Sequence, residues 1–174
     1  MFKIFTYIFA AILLFVINVK NVSAQELVAG ESAKLKVNSE ETEFDFRVSN
    51  LKNFLEKHNS PLVEYADEFV NSADTYGIDY RLVPAISGVE STFGKHIPYK
   101  SYNAYGWANG EYKFTSWENS IDHVSKTLKL KYIDRGAPSI AKIARRYAPP
   151  STTWGRNVGF FMTKIDSLPL TFDI

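Results

Sequence analysis

Cysteine is absent from the 174 residues. That excludes disulfides, thiol nucleophiles and thiolate metal sites. Histidine is scarce: His58, His96 and His123 are scattered, with no H-x-x-x-H spacing to put two imidazoles on one helix face. No metal or cofactor is therefore expected. Net charge is nearly absent at +1, and no nucleic-acid motif is visible, so a nucleic acid is not an expected partner. Repeats and low-complexity tracts are missing as well. Stability must come from a packed core, and 45% apolar with 15% aromatic residues is enough for one domain and a monomer.

Long apolar runs are limited to one, from Ile4 to Ile17, preceded by Lys3 and followed by Val22-Ser23-Ala24. A charged start, an apolar stretch and small residues at a cleavage position describe a secretory signal peptide over 1–24. The alternative is an uncleaved N-terminal anchor, since the run approaches the lower limit for spanning a bilayer; only then is a membrane involved. Both readings put the remainder outside the cytoplasm: secreted, periplasmic or in the cell envelope.

The small net charge hides an asymmetry. Residues 26–90 carry 6 basic and 13 acidic side chains, and residues 91–164 carry 12 basic and 4 acidic ones. A basic half suits an acidic partner or polymer, or is simply a solvated face.

Residues 25–48 read as a linker or extended arm, with Phe44, Phe46 and Val48 alternating as in a short strand. From 49 to 168 the pattern is that of one mainly helical domain. Ser49 is a candidate cap for a helix carrying Leu51, Phe54 and Leu55. Ser60-Pro61 opens a second helix that Gly77 stops. Asp79 caps a third, in which Pro84 predicts a kink and Gly94 the end. Asn109-Gly110 predicts a type I′ turn pairing 104–108 with 111–114 in a hairpin. Thr115 to Glu118 has the form of a capping box for a fourth helix that Gly136 closes. Two more follow, over 139–147 and 154–168. The expected class is α+β, mainly α, with six helices and one small β-hairpin.

The stretch AISGVESTFGK carries one glutamate, Glu90, at the end of an apolar helix. Glu90 borders the buried stripe and lies near the C-terminal end, where the macrodipole disfavours negative charge. Desolvation and dipole both favour the neutral acid, which is what general acid catalysis requires. The bland alternative is a solvated glutamate at a helix end.

The segment YGIDYRLVPAISGVESTFGK resembles the catalytic helix of lysozyme-like peptidoglycan-cleaving enzymes, especially the soluble lytic transglycosylases. The matching residues are Tyr76-Gly77-Ile78-Asp79, Leu82, Ala85-Ile86, Glu90-Ser91 and Phe93-Gly94. YNAYGW resembles the Asn-x-x-Gly segment of transglycosylases and bacterial glucosaminidases through Asn103 and Gly106, and RRYAPPSTTW resembles their late tyrosine region through Tyr147. The resemblance spans about residues 60–165. It implies a lysozyme-like domain acting on the β-1,4 backbone of MurNAc-GlcNAc strands, with Glu90 as catalytic acid. Ser91, Phe93, Tyr102, Asn103, Gly106, Trp107 and Tyr147 are the candidate substrate-binding residues. Trp117 and Trp154 are open between core and groove, and Lys95, Lys100, Arg145 and Arg146 are cations for carboxylates of the strand.

One departure matters. Transglycosylases carry a glutamine shortly after the glycine of their second motif, and here the chain reads GWANG. The hairpin pattern is closer to glucosaminidases, whose second acid can sit there, so Glu111 is the candidate second carboxylate. Glu118 is better used as a cap. A single-acid reaction assisted by the substrate's 2-acetamido group needs no partner, and it ends in either hydrolysis or an anhydro product. A different class of reading is a non-catalytic wall-binding module that keeps the groove without turnover.

Overall fold

A computed structural model describes residues 45–167. The expected signal peptide or anchor over 1–24, most of the arm over 25–48 and the chain end from 168 lie outside the described residues. Among the described residues no helix is long and apolar enough to cross a membrane.

These residues form six α-helices, with a long connection over 92–116 between the third and fourth: α1 Phe46–Lys57, α2 Ala66–Tyr76, α3 Leu82–Ser91, α4 Trp117–Thr127, α5 Ile140–Tyr147 and α6 Trp154–Ile165. A 3₁₀ turn, Val63–Tyr65, leads into α2, and a π-helical stretch, Leu128–Ile133, continues α4. Helix α3 lies in the middle, against α6 and touching α4; α2 packs on α4, α1 on α2 and α6, and α5 on α6 and the π stretch. Every residue of α3 from Leu82 to Gly88 is buried. A helix apolar on all sides is a central helix, and the others supply its walls.

Local chemistry accounts for most boundaries. Asp45 caps α1 by accepting from the Arg47 amide at 2.8 Å, and the Arg47 guanidinium reaches Asp74 at 2.7 Å, tying α1 to α2. Gly77, at φ 61°, ends α2 in the left-handed conformation. Ser139 caps α5. Before α3, Asp79 and Arg81 form a buried ion pair at 2.6 Å, and Arg81 also donates to the Asp166 carbonyl beyond α6 at 3.1 Å. A buried pair of this kind is geometrically demanding and fixes how the start of α3 meets the end of α6.

Several expectations are corrected. The class is helical and not α+β, because no strand occurs among the described residues. The predicted hairpin is instead a tight loop containing a 3₁₀ turn, Trp107–Gly110. Positive φ at Gly106, Ala108, Asn109 and Gly110 coils the chain where strands would have to run straight. The Asn103 side chain also takes up backbone groups of this loop. Its amide donates to the carbonyls of Trp107 at 2.9 Å and Tyr112 at 3.0 Å, and its oxygen accepts from the Trp107 amide at 2.9 Å.

The extended arm ends earlier than expected, since 46–48 are already helical and Asp45, not Ser49, is the cap. Pro84 makes no kink: it is the third residue of α3, where no intrahelical partner for its missing N–H exists, and the first bond runs from the Ala85 amide to the Arg81 carbonyl. Helix α3 stops at Ser91, before Gly94, because Thr92 and Phe93 take φ of 55° and 60°. The cap of α4 is Ser116 accepting from the Asn119 amide at 3.2 Å, one residue later than the Thr115 box.

Close packing at the end of α3 gives a test. A Cβ on Gly88 would collide with the Phe93 ring, itself 1% exposed and packed edge-on against Phe54 and Phe161. Gly88→Ala is expected to destabilise the fold by about 1–3 kcal/mol in urea unfolding, despite the better helix propensity of alanine. Unchanged or raised stability would mean the Phe93 ring has room to move.

Candidate active site

Glu90 occupies the last turn of α3, on the one part of that helix that reaches solvent. Its Oε1 accepts a hydrogen bond from the Trp154 indole Nε1 at 2.6 Å, and Oε2 lies over the backbone of Gly106. The approach is close: a Cβ on Gly106 would stand 2.8 Å from Oε2, and the φ of 66° there disfavours any side chain. Burial pushes the Glu90 carboxyl above its ordinary pKa, while the Trp154 hydrogen bond, which stabilises the anion, opposes that rise. The residue is nevertheless exposed. Both hold because protein walls the carboxyl on two sides and solvent has the remainder.

The walls are themselves held. Trp154 opens α6, is buried, and stacks on Tyr147 with ring centroids 4.9 Å apart and planes at 26°. Tyr147, at the end of α5, donates from its hydroxyl to the Tyr105 carbonyl at 2.6 Å, next to Gly106. Burial, first, and the Glu90 charge, second, push the Tyr147 phenol far up, so it stays neutral as a donor. A ring of contacts thus runs from Glu90 through Trp154 and Tyr147 to the loop that carries Gly106. Trp107 adjoins it, its ring 6.5 Å from that of Tyr147.

Other candidates do different work. Ser91 is 3% exposed; its hydroxyl donates to the Ala104 carbonyl at 2.8 Å and accepts from the Gly94 amide at 2.9 Å, anchoring the end of α3 to the loop. Asn103, 2% exposed, is the internal brace of that loop. Phe93 is core. These three position the site and present no surface for a sugar. Tyr102 is half-buried and meets Trp117 edge-on at 5.4 Å. Glu111 ends the 3₁₀ turn with an exposed side chain that makes no hydrogen bond or ion pair among the described residues. Among those residues the single hydrogen-bond partner of the Glu90 side chain is Trp154.

No protein-family model and no curated protein matches the chain. The site therefore stands on its geometry.

That geometry consists of one carboxyl with an elevated pKa, an indole donor that limits the elevation, an approach open to solvent and a loop backbone at close range. It can hold a proton to higher pH than an ordinary glutamate and release it to an acceptor arriving from solvent. Among the described residues no cluster of three His, Asp or Glu side chains is placed to hold a metal ion. Trp154 is the participant that sequence reasoning left undecided. Its signal was its place after Tyr147 and the Pro149-Pro150 break, but no pattern in the chain could show which way its N–H points.

Two substitutions check these roles. Trp154→Phe keeps a ring against Tyr147 and removes the donor, so Glu90 is expected to titrate at higher pH when followed by side-chain carbon NMR; an unchanged or lower value would mean the indole bond is not made in solution. Asn103→Ala leaves buried backbone groups unpaired and is expected to cost about 3 kcal/mol in urea unfolding. A cost below about 1 kcal/mol would remove its role as the brace of the loop.

Proposed function

We propose that the chain cleaves the β-1,4 glycan backbone of bacterial peptidoglycan, with Glu90 as general acid and then base. The observation that carries this reading is the Glu90 carboxyl itself, raised in pKa by burial yet open to solvent at the end of a buried helix. Its support in sequence is the Glu90-Ser91 segment and its resemblance to the transglycosylase helix. Ser91 adds to that support, because its two bonds hold the helix end and the Gly106 loop in one register around the carboxyl.

In this reaction the protonated Glu90 gives its proton to the glycosidic oxygen as the C1–O bond breaks. The neighbouring 2-acetamido carbonyl of the substrate bonds to C1 and takes up the developing positive charge. The Glu90 carboxylate then accepts a proton from the attacking hydroxyl, which displaces the acetamido oxygen. Attack by the sugar's own 6-hydroxyl leaves an anhydro end, and attack by water leaves a reducing end. The indole of Trp154 favours the anion formed midway, so the same contact that limits the acid's pKa readies the base.

Purified peptidoglycan incubated with the parent and with Glu90→Gln, its soluble products read by mass spectrometry, tests the reading. Products from the parent alone are expected, with a loss in the variant of about a thousandfold or more. Activity retained in Glu90→Gln refutes the assignment. Absence of products from both, with the wall still bound, replaces it by the binding module. In the active parent, rate is expected to fall as pH rises through the raised pKa of Glu90, because the acid must begin protonated.

Stability carries the same sign. A carboxyl whose folded pKa is raised contributes stability that is fully present below the ordinary glutamate value and is lost as pH climbs through the folded one. Glu90→Gln is therefore expected to unfold at the same temperature as the parent, or a higher one, at neutral pH. A clear fall in melting temperature would show that the charged form is stabilised in the fold.

A further inference from the structure

Away from Glu90, α5, α6 and the connection between them border an open cavity of about 540 Å³. Its lining includes Arg145 from the last turn of α5, Arg156 from the first turn of α6, and Ser151 and Thr152 between them. No acidic residue lines it. Both arginines are exposed, and among the described residues neither guanidinium makes an ion pair or a hydrogen bond. By contrast, Arg146 is spent on the carbonyls of Arg135 and Tyr132, and Lys95 on the His58 carbonyl. The surroundings have the same sign: residues 126–164 carry nine basic side chains and one acid, Asp134, which is paired with Lys129 at 3.1 Å.

The shape of the cavity follows from the packing beside it. Gly155 lets α6 approach α5 so closely that a Cβ there would stand 3.2 Å from the Ala144 Cβ. Ala144 and Gly155 line the cavity together with Pro149, so the close helix contact and the start of the connection form its wall. Two like charges lining one concavity repel, and guanidinium forks with hydroxyls between them match an anion with several oxygens.

We propose that this cavity is an anion-binding site, taking a phosphate or carboxylate group borne by the wall polymer and holding the strand at a point separate from Glu90. The polymer as source rests on the peptidoglycan reading; the binding of the anion does not.

Isothermal calorimetry of the full chain with inorganic phosphate, and separately with glutarate, tests it at fixed chloride. Saturable one-site binding of at least one probe is expected, weakened about tenfold or more in Arg145→Gln/Arg156→Gln. Because both side chains are exposed and unbonded, the double variant is expected to melt with the parent. Preference for phosphate assigns a phosphodiester polymer as the source, and preference for glutarate the carboxylates of the peptide stems. Glu90→Gln is expected to bind as the parent does, so a failed cleavage assay leaves this result intact. No saturable heat with either probe, or equal binding by the double variant, overturns the proposal.

Discussion

The burial of α3 on every side is the constraint from which the rest of the structure follows. A helix with Leu82 to Gly88 all shielded from water leaves its own sequence one place for a charge, the last turn, and Glu90 is there. The chain then has to leave the core at once. It does so through three consecutive residues of positive φ, Thr92, Phe93 and Gly94, and it pays for that strain with the Phe93 ring driven into the core and the Ser91 hydroxyl bonded at both sides of the turn. The same geometry that strains the backbone holds the carboxyl at the protein surface with its back to the core.

The 103–112 loop shows how a short stretch becomes a wall without becoming a sheet. One buried asparagine satisfies the backbone from within, which frees Gly106 to lie against the Glu90 carboxyl. A hairpin would have paired those backbone groups with each other and straightened the segment. Tyr147 then clamps the loop from α5, and its stacking on Trp154 couples α5, α6 and the loop around a single carboxyl. The loop is thus held from the inside by Asn103 and from the outside by Tyr147, and the carboxyl by Trp154.

Charge is distributed in a related way. The ion pairs among described residues join partners from the same half of the chain: Arg47 with Asp45 and Asp74, Lys52 with Glu64, Arg81 with Asp79, and Lys129 with Asp134. Folding therefore does not cancel the acidic first half against the basic second half through these pairs. The excess positive charge around α5 faces solvent, where its long-range field is strongest at low salt.

The sequence by itself determined the six helices and the position of Glu90 at the end of an apolar one. Apolar spacing and local caps such as Gly77 and Ser139 act within a few residues of where they are read, so their meaning survives without the fold. Glu90 was legible for the same reason, because its place at the end of an apolar run is a one-dimensional fact. Asn109-Gly110 does not make the expected hairpin because a turn dipeptide states only a local preference, and the competing bonds from Asn103 exist only once the loop is closed. Only the tertiary structure decided that Trp154 rather than a second acid meets Glu90, that Ser91 and Asn103 brace rather than bind, and that two arginines eleven positions apart line one cavity. Each of these depends on the direction of a side chain across a gap between elements, and that direction is set by the packing of all six helices together.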